Sequence, residues 1–385
     1  MFFKSNEKFY LQISFMIILL AFASISFQQQ LKPRRTLVAE LFSDTKSSSD
    51  PKPINITFRL LAVERYFDSV SMRSGQYLIR TLLNTSDPKY QYFVPLIKNW
   101  QNMTWGNFRY TSYIHLLSCD ADVKNDQQMK KYYRGVANKT NIINEIRNFL
   151  GVTGPGESNE LTVRIFYYCD HSGKLIQFGN FSLIENYLLV GEDPKNKDHV
   201  ITASELDQAL LSGDLKTSNC TVIIFDSCYS GGFINRLARP GRTIITACTN
   251  QELAQSRGVK EGAEPLDWSI FTGNQLAYYV NKTTKEETEF GALGIIGAIY
   301  EASKSYGNNK FVNFDSNKDG WLTAKEMFRF AAGTTKVFTK FDYTTKPQNP
   351  QFYSQVLDGG VPLVMYLSLI HISEPTRPRL ISYAV

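Results

Sequence analysis

The chain has little of what builds metal and redox centres. Its 385 residues include only four histidines and five cysteines, and no Cys-x-x-Cys pair. A zinc site of the usual Cys/His kind is therefore not expected. Basic runs and basic–aromatic interleaving are also missing. The formal charge of +6 is spread thinly, so nucleic acid is not an expected partner. No internal repeat occurs. The apolar stretch Ile13–Ile25 is short of the roughly 20 residues a membrane span needs. An odd number of cysteines cannot all pair. In an oxidising compartment at least one thiol is left over. Two disulfides plus one reactive thiol, or five buried thiols behaving as small hydrophobes, both fit.

The ends of the chain differ in composition from the middle. Lys4 and Lys8 precede the apolar stretch, and Ala21-Phe22-Ala23 offers small residues at a signal-peptidase spacing. A cleaved leader over 1–27 is expected, with an uncleaved anchor as the alternative because Lys32, Arg34 and Arg35 flank the far side. Seven Asn-x-Ser/Thr sequons, at Asn55, Asn84, Asn102, Asn138, Asn180, Asn219 and Asn281, agree with secretion or residence in the endomembrane lumen. Residues 28–55 are polar and read as a linker. Residues 368–385 break the pattern of the chain and resemble translated adapter read-through, so a non-native tail is expected.

Between these ends the pattern alternates. Ser112–Cys119, Thr162–Cys169, Thr221–Cys228 and Arg242–Cys248 are short runs rich in β-branched and aromatic residues. Runs of that length suit buried strands of a parallel sheet. Asn138–Leu150 and Thr202–Leu211, the latter opening on the capping-box pattern Thr-Ala-Ser-Glu, read as helices. Ser269–Val280 and Ala292–Tyr306 are also expected to be helical. Strands alternating with helices predict an α/β fold with a mainly parallel central sheet flanked by helices, in one domain over 56–367.

Two strand ends carry chemistry. Ile223-Ile224-Phe225 runs into Asp226-Ser227-Cys228-Tyr229-Ser230-Gly231-Gly232. At the carboxyl edge of a parallel sheet a cysteine is both held and accessible. The glycine pair is expected to leave backbone N–H groups for an oxyanion. Upstream, Ile165-Phe166-Tyr167-Tyr168 delivers Cys169-Asp170-His171-Ser172-Gly173. The separation, 228 − 171 = 57 residues, suits two neighbouring parallel strands joined by one crossover. An imidazole facing the thiol would favour the thiolate and protonate a leaving amine.

These segments resemble the caspase-like clan of cysteine peptidases, which includes caspases, metacaspases and legumains. Asp226-Ser227-Cys228-Tyr229-Ser230-Gly231 is similar to the nucleophile pattern of metacaspase-type members, and Tyr167–His171 to their histidine segment. Ile244–Cys248 resembles the following strand, and Asn349-Pro350-Gln351 is also similar to clan members. The resemblance covers about residues 110 to 280. It implies a three-layer caspase-like fold and a cysteine endopeptidase acting on peptide or protein substrates. Cys228 would be the nucleophile, His171 its partner, and Ser172 and Gly173 the site of oxyanion binding. Asp226 would then lie in the S1 pocket and favour Arg or Lys at P1. The clan usually has Gly directly after the histidine. Here Ser172 takes that place, which puts the oxyanion turn in question. A legumain- or transamidase-like enzyme would share the same pair.

Residues 315–326 read Asp-Ser-Asn-Lys-Asp-Gly-Trp-Leu-Thr-Ala-Lys-Glu. Asp315, Asn317, Asp319, Thr323 and Glu326 fall at the oxygen-ligand positions of an EF-hand-like loop, Trp321 at the carbonyl position and Gly320 at the sharp turn. Ca²⁺ is the expected ion, with a helix following over Met327–Ala332. The competing reading is a capped helix, because Thr323-x-x-Glu326 is also a capping box. With Ca²⁺ but without catalysis, the chain would be a calcium-binding secreted or surface protein on a caspase-like fold.

Overall fold

The computed structural model describes residues 54–67, 70–71, 73–83, 103–105, 108–152, 160–174, 176–178, 181–183, 185–214, 219–257, 268–306, 321–342, 344–356 and 362–365. The expected leader, nearly all of the linker and the 368–385 tail lie outside the described residues, as do Asp315, Asn317 and Asp319.

Five long or buried strands make the centre: β1 (Ile54–Glu64), β2 (Phe108–Ser118), β3 (Glu160–Cys169), β7 (Asn219–Asp226) and β8 (Arg242–Thr246). Among the short strands between β3 and β7 in the chain are β4 (Ser172–Gly173), β5 (Tyr187–Leu189) and β6 (Val200–Thr202). The main sheet has eight strands. From one edge to the other its path runs through the antiparallel strand Gln351–Ser354, then β8, β7, β3, β1 and β2, to the short antiparallel strand Met103–Trp105. Tyr133–Gly135 also pairs with β2. All four ladders among β8, β7, β3, β1 and β2 are parallel. The protein is thus α/β with a mainly parallel central sheet.

Burial on both faces explains why these strands read as continuous apolar runs. Leu60, Ala62, Ile165, Tyr167 and Ile224 share one hydrophobic cluster with residues of α1 (Ser74–Leu83), α4 (Gly294–Tyr306) and α5 (Ala324–Phe341). Their neighbours in sequence, Leu61, Val63, Phe166, Tyr168, Ile223 and Phe225, share another with α2 (Lys139–Glu145), the π turn Ile146–Leu150 that continues it, and α3 (Ala203–Asp214). A slip of one residue would exchange the two sets, so burial fixes the register.

Local signals were decisive for most elements. Asn138 caps α2 by accepting from the Asn141 N–H at 2.9 Å. Thr202 and Glu205 form the expected reciprocal cap before α3. Ile54 already belongs to β1, so the linker ends sooner than expected. Ser269–Val280 is not a helix. Residues 270–272 turn, and Asn274–Val280 (β9) pairs antiparallel with Glu287–Leu293 (β10). Gly273 decides this. Its φ is +78°, and a Cβ there would lie 1.8 Å from the Leu293 carbonyl oxygen. The left-handed turn breaks any helix and lets the two backbones meet.

Candidate active site

The β3–β7 ladder pairs Thr162 with Asn219 and Cys169 with Asp226. Its offset, 226 − 169 = 57, equals the spacing 228 − 171 of the expected pair. His171 and Cys228 therefore leave neighbouring strands at the same height, two residues beyond the last paired positions. Adjacent strands are roughly 4.8 Å apart. The His171 carbonyl is held by the Tyr168 hydroxyl at 2.8 Å and by the Leu189 N–H at 3.0 Å. The Cys228 residue is 8% exposed, with Sγ 3.9 Å from the Ala254 carbonyl oxygen.

Tyr229, directly after the cysteine, has φ +54° and ψ +19°. A bulky residue in the left-handed region costs energy and persists only where its surroundings hold it. Here they do. The Tyr229 N–H donates to the Glu252 carbonyl at 2.8 Å. Its own carbonyl accepts from Asn186 Nδ2 and from the Gly232 N–H, both at 3.1 Å. Lys174 Nζ sits 4.6 Å from the centre of its ring.

Ser172 bridges the two loops. Its hydroxyl donates to the Cys228 carbonyl, and the Ser227 hydroxyl lies 3.0 Å from it. A hydroxyl has one proton, and a carbonyl can only accept. The Ser172 proton therefore serves the Cys228 carbonyl, the shorter of the two contacts, and Ser227 Oγ is a second acceptor within its reach. The backbone of Ser172 follows from the β4–β5 ladder, in which it faces Leu188 and Gly173 faces Tyr187. The Leu189 N–H to His171 carbonyl bond makes 171/189 a bonded pair. Alternation then makes 172/188 a non-bonded pair and aims the Ser172 N–H away from β5. Gly173 falls in the next bonded pair, so its N–H is turned toward Tyr187 rather than toward a ligand. Glycine is needed there because a Cβ would lie 2.4 Å from the Tyr187 ring.

The expected oxyanion role of the glycine pair is corrected. The Gly231 N–H donates to the Cys248 carbonyl at 2.9 Å, and the Gly232 N–H to Tyr229 at 3.1 Å. Both hold the turn and are spent.

Asp226 is enclosed beneath this turn, 1% exposed. One carboxylate oxygen accepts the Ser269 hydroxyl. The other accepts the Thr272 hydroxyl and the Thr272 N–H, the latter at 2.9 Å. Burial raises its pKa to about 6 against the pull of those donors. The carboxylate thus ties β7 to the 269–272 turn. The Phe271 and Thr272 carbonyls of that turn in turn accept the Ile295 and Ile296 N–H groups at the start of α4. In the same row of the sheet, Glu64 pairs with Cys169 and Ser118. It is fully buried, accepts from Gln76 and Ser118, and is raised to about 7, chiefly by burial.

Three residues that matter to this geometry carried no sequence signal: Asn186, Glu252 and Gln348. The Glu252 carboxylate accepts from the Thr249 N–H and from the N–H and Nδ2 of Asn349. Gln348 Nε2 donates to the Ala247 carbonyl at 2.9 Å. The Asn349-Pro350 segment is thereby latched to the turn that follows Cys228.

The described half of the acidic loop is a capping box. Thr323 Oγ1 and its N–H both meet Glu326 Oε2, at 2.8 and 3.0 Å, and the Glu326 N–H returns to Thr323 Oγ1 at 3.3 Å. Trp321–Thr323 pairs with Pro362–Met365. Among the described residues no group of three or more His, Cys, Asp or Glu forms a metal cluster, and no helix is long and apolar enough to cross a membrane. None of the five cysteines is in a disulfide, and all but the half-buried Cys119 are buried, as in the second of the two cysteine readings. No protein-family model matches the chain, and no curated protein matches it.

Proposed function

We propose that the chain is a cysteine endopeptidase on a three-layer caspase-like fold. The observation that carries this reading is the shared height of His171 and Cys228 on adjacent parallel strands, with Ser172 bonding one loop to the other. The thiol proton passes to His171. The thiolate attacks the scissile carbonyl, and the Ser172 N–H meets the developing oxyanion. His171 then gives its proton to the departing amine, leaving a thioester on Cys228. Water, deprotonated by His171, hydrolyses the thioester and restores the thiol.

A preference for Arg or Lys at P1 goes with Asp226. A cationic side chain would replace the Ser269 hydroxyl on one carboxylate oxygen while Thr272 keeps the other. Ca²⁺ at 315–326 is a separate part of the proposal. Thr323 and Glu326 already bond to each other, so the ion would have to share them with the capping box. Passage through the secretory pathway is likewise proposed from the leader and sequons.

The test compares wild type with Cys228→Ala on peptides carrying Arg, Lys, Asn or Asp at P1, with and without Ca²⁺. Cleavage after Arg or Lys that vanishes in the variant is expected. Equal cleavage by the variant, or none by wild type on any peptide, would overturn the peptidase reading. Cleavage after Asp alone would remove the role given to Asp226.

A further inference from the structure

We infer that the Ser172 side chain is a positioning residue: its hydroxyl clamps the Cys228–Tyr229 peptide plane and so sets the direction in which the Cys228 thiol leaves the turn. The inference rests on the Cys–His reading above and adds a role for a side chain where the clan usually has none.

Both ends of that peptide plane are held. Its carbonyl, from Cys228, accepts the Ser172 hydroxyl, and its N–H, from Tyr229, donates to the Glu252 carbonyl at 2.8 Å. The clamp spans from the loop of His171 to the loop of Cys228, so one bond relates the two reacting groups. The strained φ of +54° at Tyr229 gives the plane a reason to rotate when released. Losing the clamp leaves a carbonyl without its donor while the Ser172 N–H stays in place. Oxyanion binding and thiol direction are therefore separable at this residue. Ser227 Oγ, 3.0 Å away, is the other acceptor that the Ser172 hydroxyl faces, so removing it leaves the Ser172 proton on Cys228.

The experiment uses the full chain with Ser172→Ala, Ser172→Gly, Ser172→Thr and Ser227→Ala. Three quantities are read. They are kcat and KM on a peptide that wild type cleaves, the pH midpoint of Cys228 alkylation by iodoacetamide, located by peptide mass mapping, and Tm. The Ala and Gly variants should lose about tenfold to a hundredfold in kcat, the cost of one unmet hydrogen bond, with KM changed less than about twofold. Their alkylation midpoint should move toward that of an unperturbed thiol, about 8.5. Ser172→Thr keeps a hydroxyl at this position and should recover most of both. Ser227→Ala should lose less than about threefold. Wild-type kcat and midpoint in Ser172→Ala would overturn the clamp. So would a loss in Ser227→Ala as large as in Ser172→Ala, or a kcat loss in Ser172→Ala matched only by a fall in Tm. If wild type shows no Cys228-dependent cleavage, the peptidase reading fails. The clamp is then judged on the alkylation midpoint alone, which Ser172→Ala either moves or leaves.

Discussion

Asp226→Asn keeps the outline of the side chain and removes its charge. The amide oxygen can take over the Thr272 N–H and hydroxyl. The amide nitrogen then faces Ser269, whose hydroxyl can turn from donor to acceptor. In the wild type, burial lifts the carboxyl from 3.8 to about 6. A difference of about 2 units, at 1.36 kcal/mol each, is worth about 3 kcal/mol. The sign follows from proton binding. The folded protein holds the Asp226 proton more tightly than the unfolded chain does. The stabilisation from that proton is complete below pH 3.8 and is lost as pH rises through about 6. The asparagine variant has no such loss. Its stability relative to wild type should therefore rise by up to about 3 kcal/mol between pH of about 4 and about 7. Urea unfolding across that range, with m-values checked for constancy, reads the difference directly. A difference flat with pH, or one falling as pH rises, would refute the desolvation argument. The same variant separates two roles in cleavage. A carboxylate that selects P1 would lose the preference for Arg and Lys alone. One that only latches the 269–272 turn would lose activity on every peptide together.

Glu64→Gln should show the same trend in a higher window, between 4.5 and about 7, because that carboxyl is raised by burial in the same way. Gly173→Ala forces a Cβ to within 2.4 Å of the Tyr187 ring, and thermal melting should show a loss of about 1–3 kcal/mol. Glu252→Ala strips an acceptor from Thr249 and Asn349. It should lower kcat for all peptides alike and expose the 348–350 segment to limited proteolysis. Thr323→Ala should cost about 1 kcal/mol through the lost cap whether or not Ca²⁺ is present. Glu326→Gln should weaken Ca²⁺ binding in calorimetry, and a titration equal to wild type would remove the metal from the proposal.

The sequence alone was enough to specify the α/β pattern, the four runs that became β2, β3, β7 and β8, and the two polar turns that end in His171 and Cys228. Those features are local. They depend on side-chain periodicity, on capping residues and on small residues at strand ends, all read within a few positions. It misread Ser269–Val280 because apolar spacing there suits either state, and the φ of Gly273 is set by its contact with Leu293. It passed over β1, a central strand adjoining the linker, and three residues that hold the turn after Cys228. Tertiary structure alone decided that the 57-residue interval equals the ladder offset, that the Gly231 and Gly232 N–H groups are spent, and that Asp226 is closed over by Ser269 and Thr272. It also turned the serine after His171 from a doubtful substitution into a bond between the two loops. All but the local Gly232–Tyr229 bond rest on partners 17 or more residues apart in sequence. A hydrogen bond of that range exists only once burial has fixed the register of the strands that bring its two ends together.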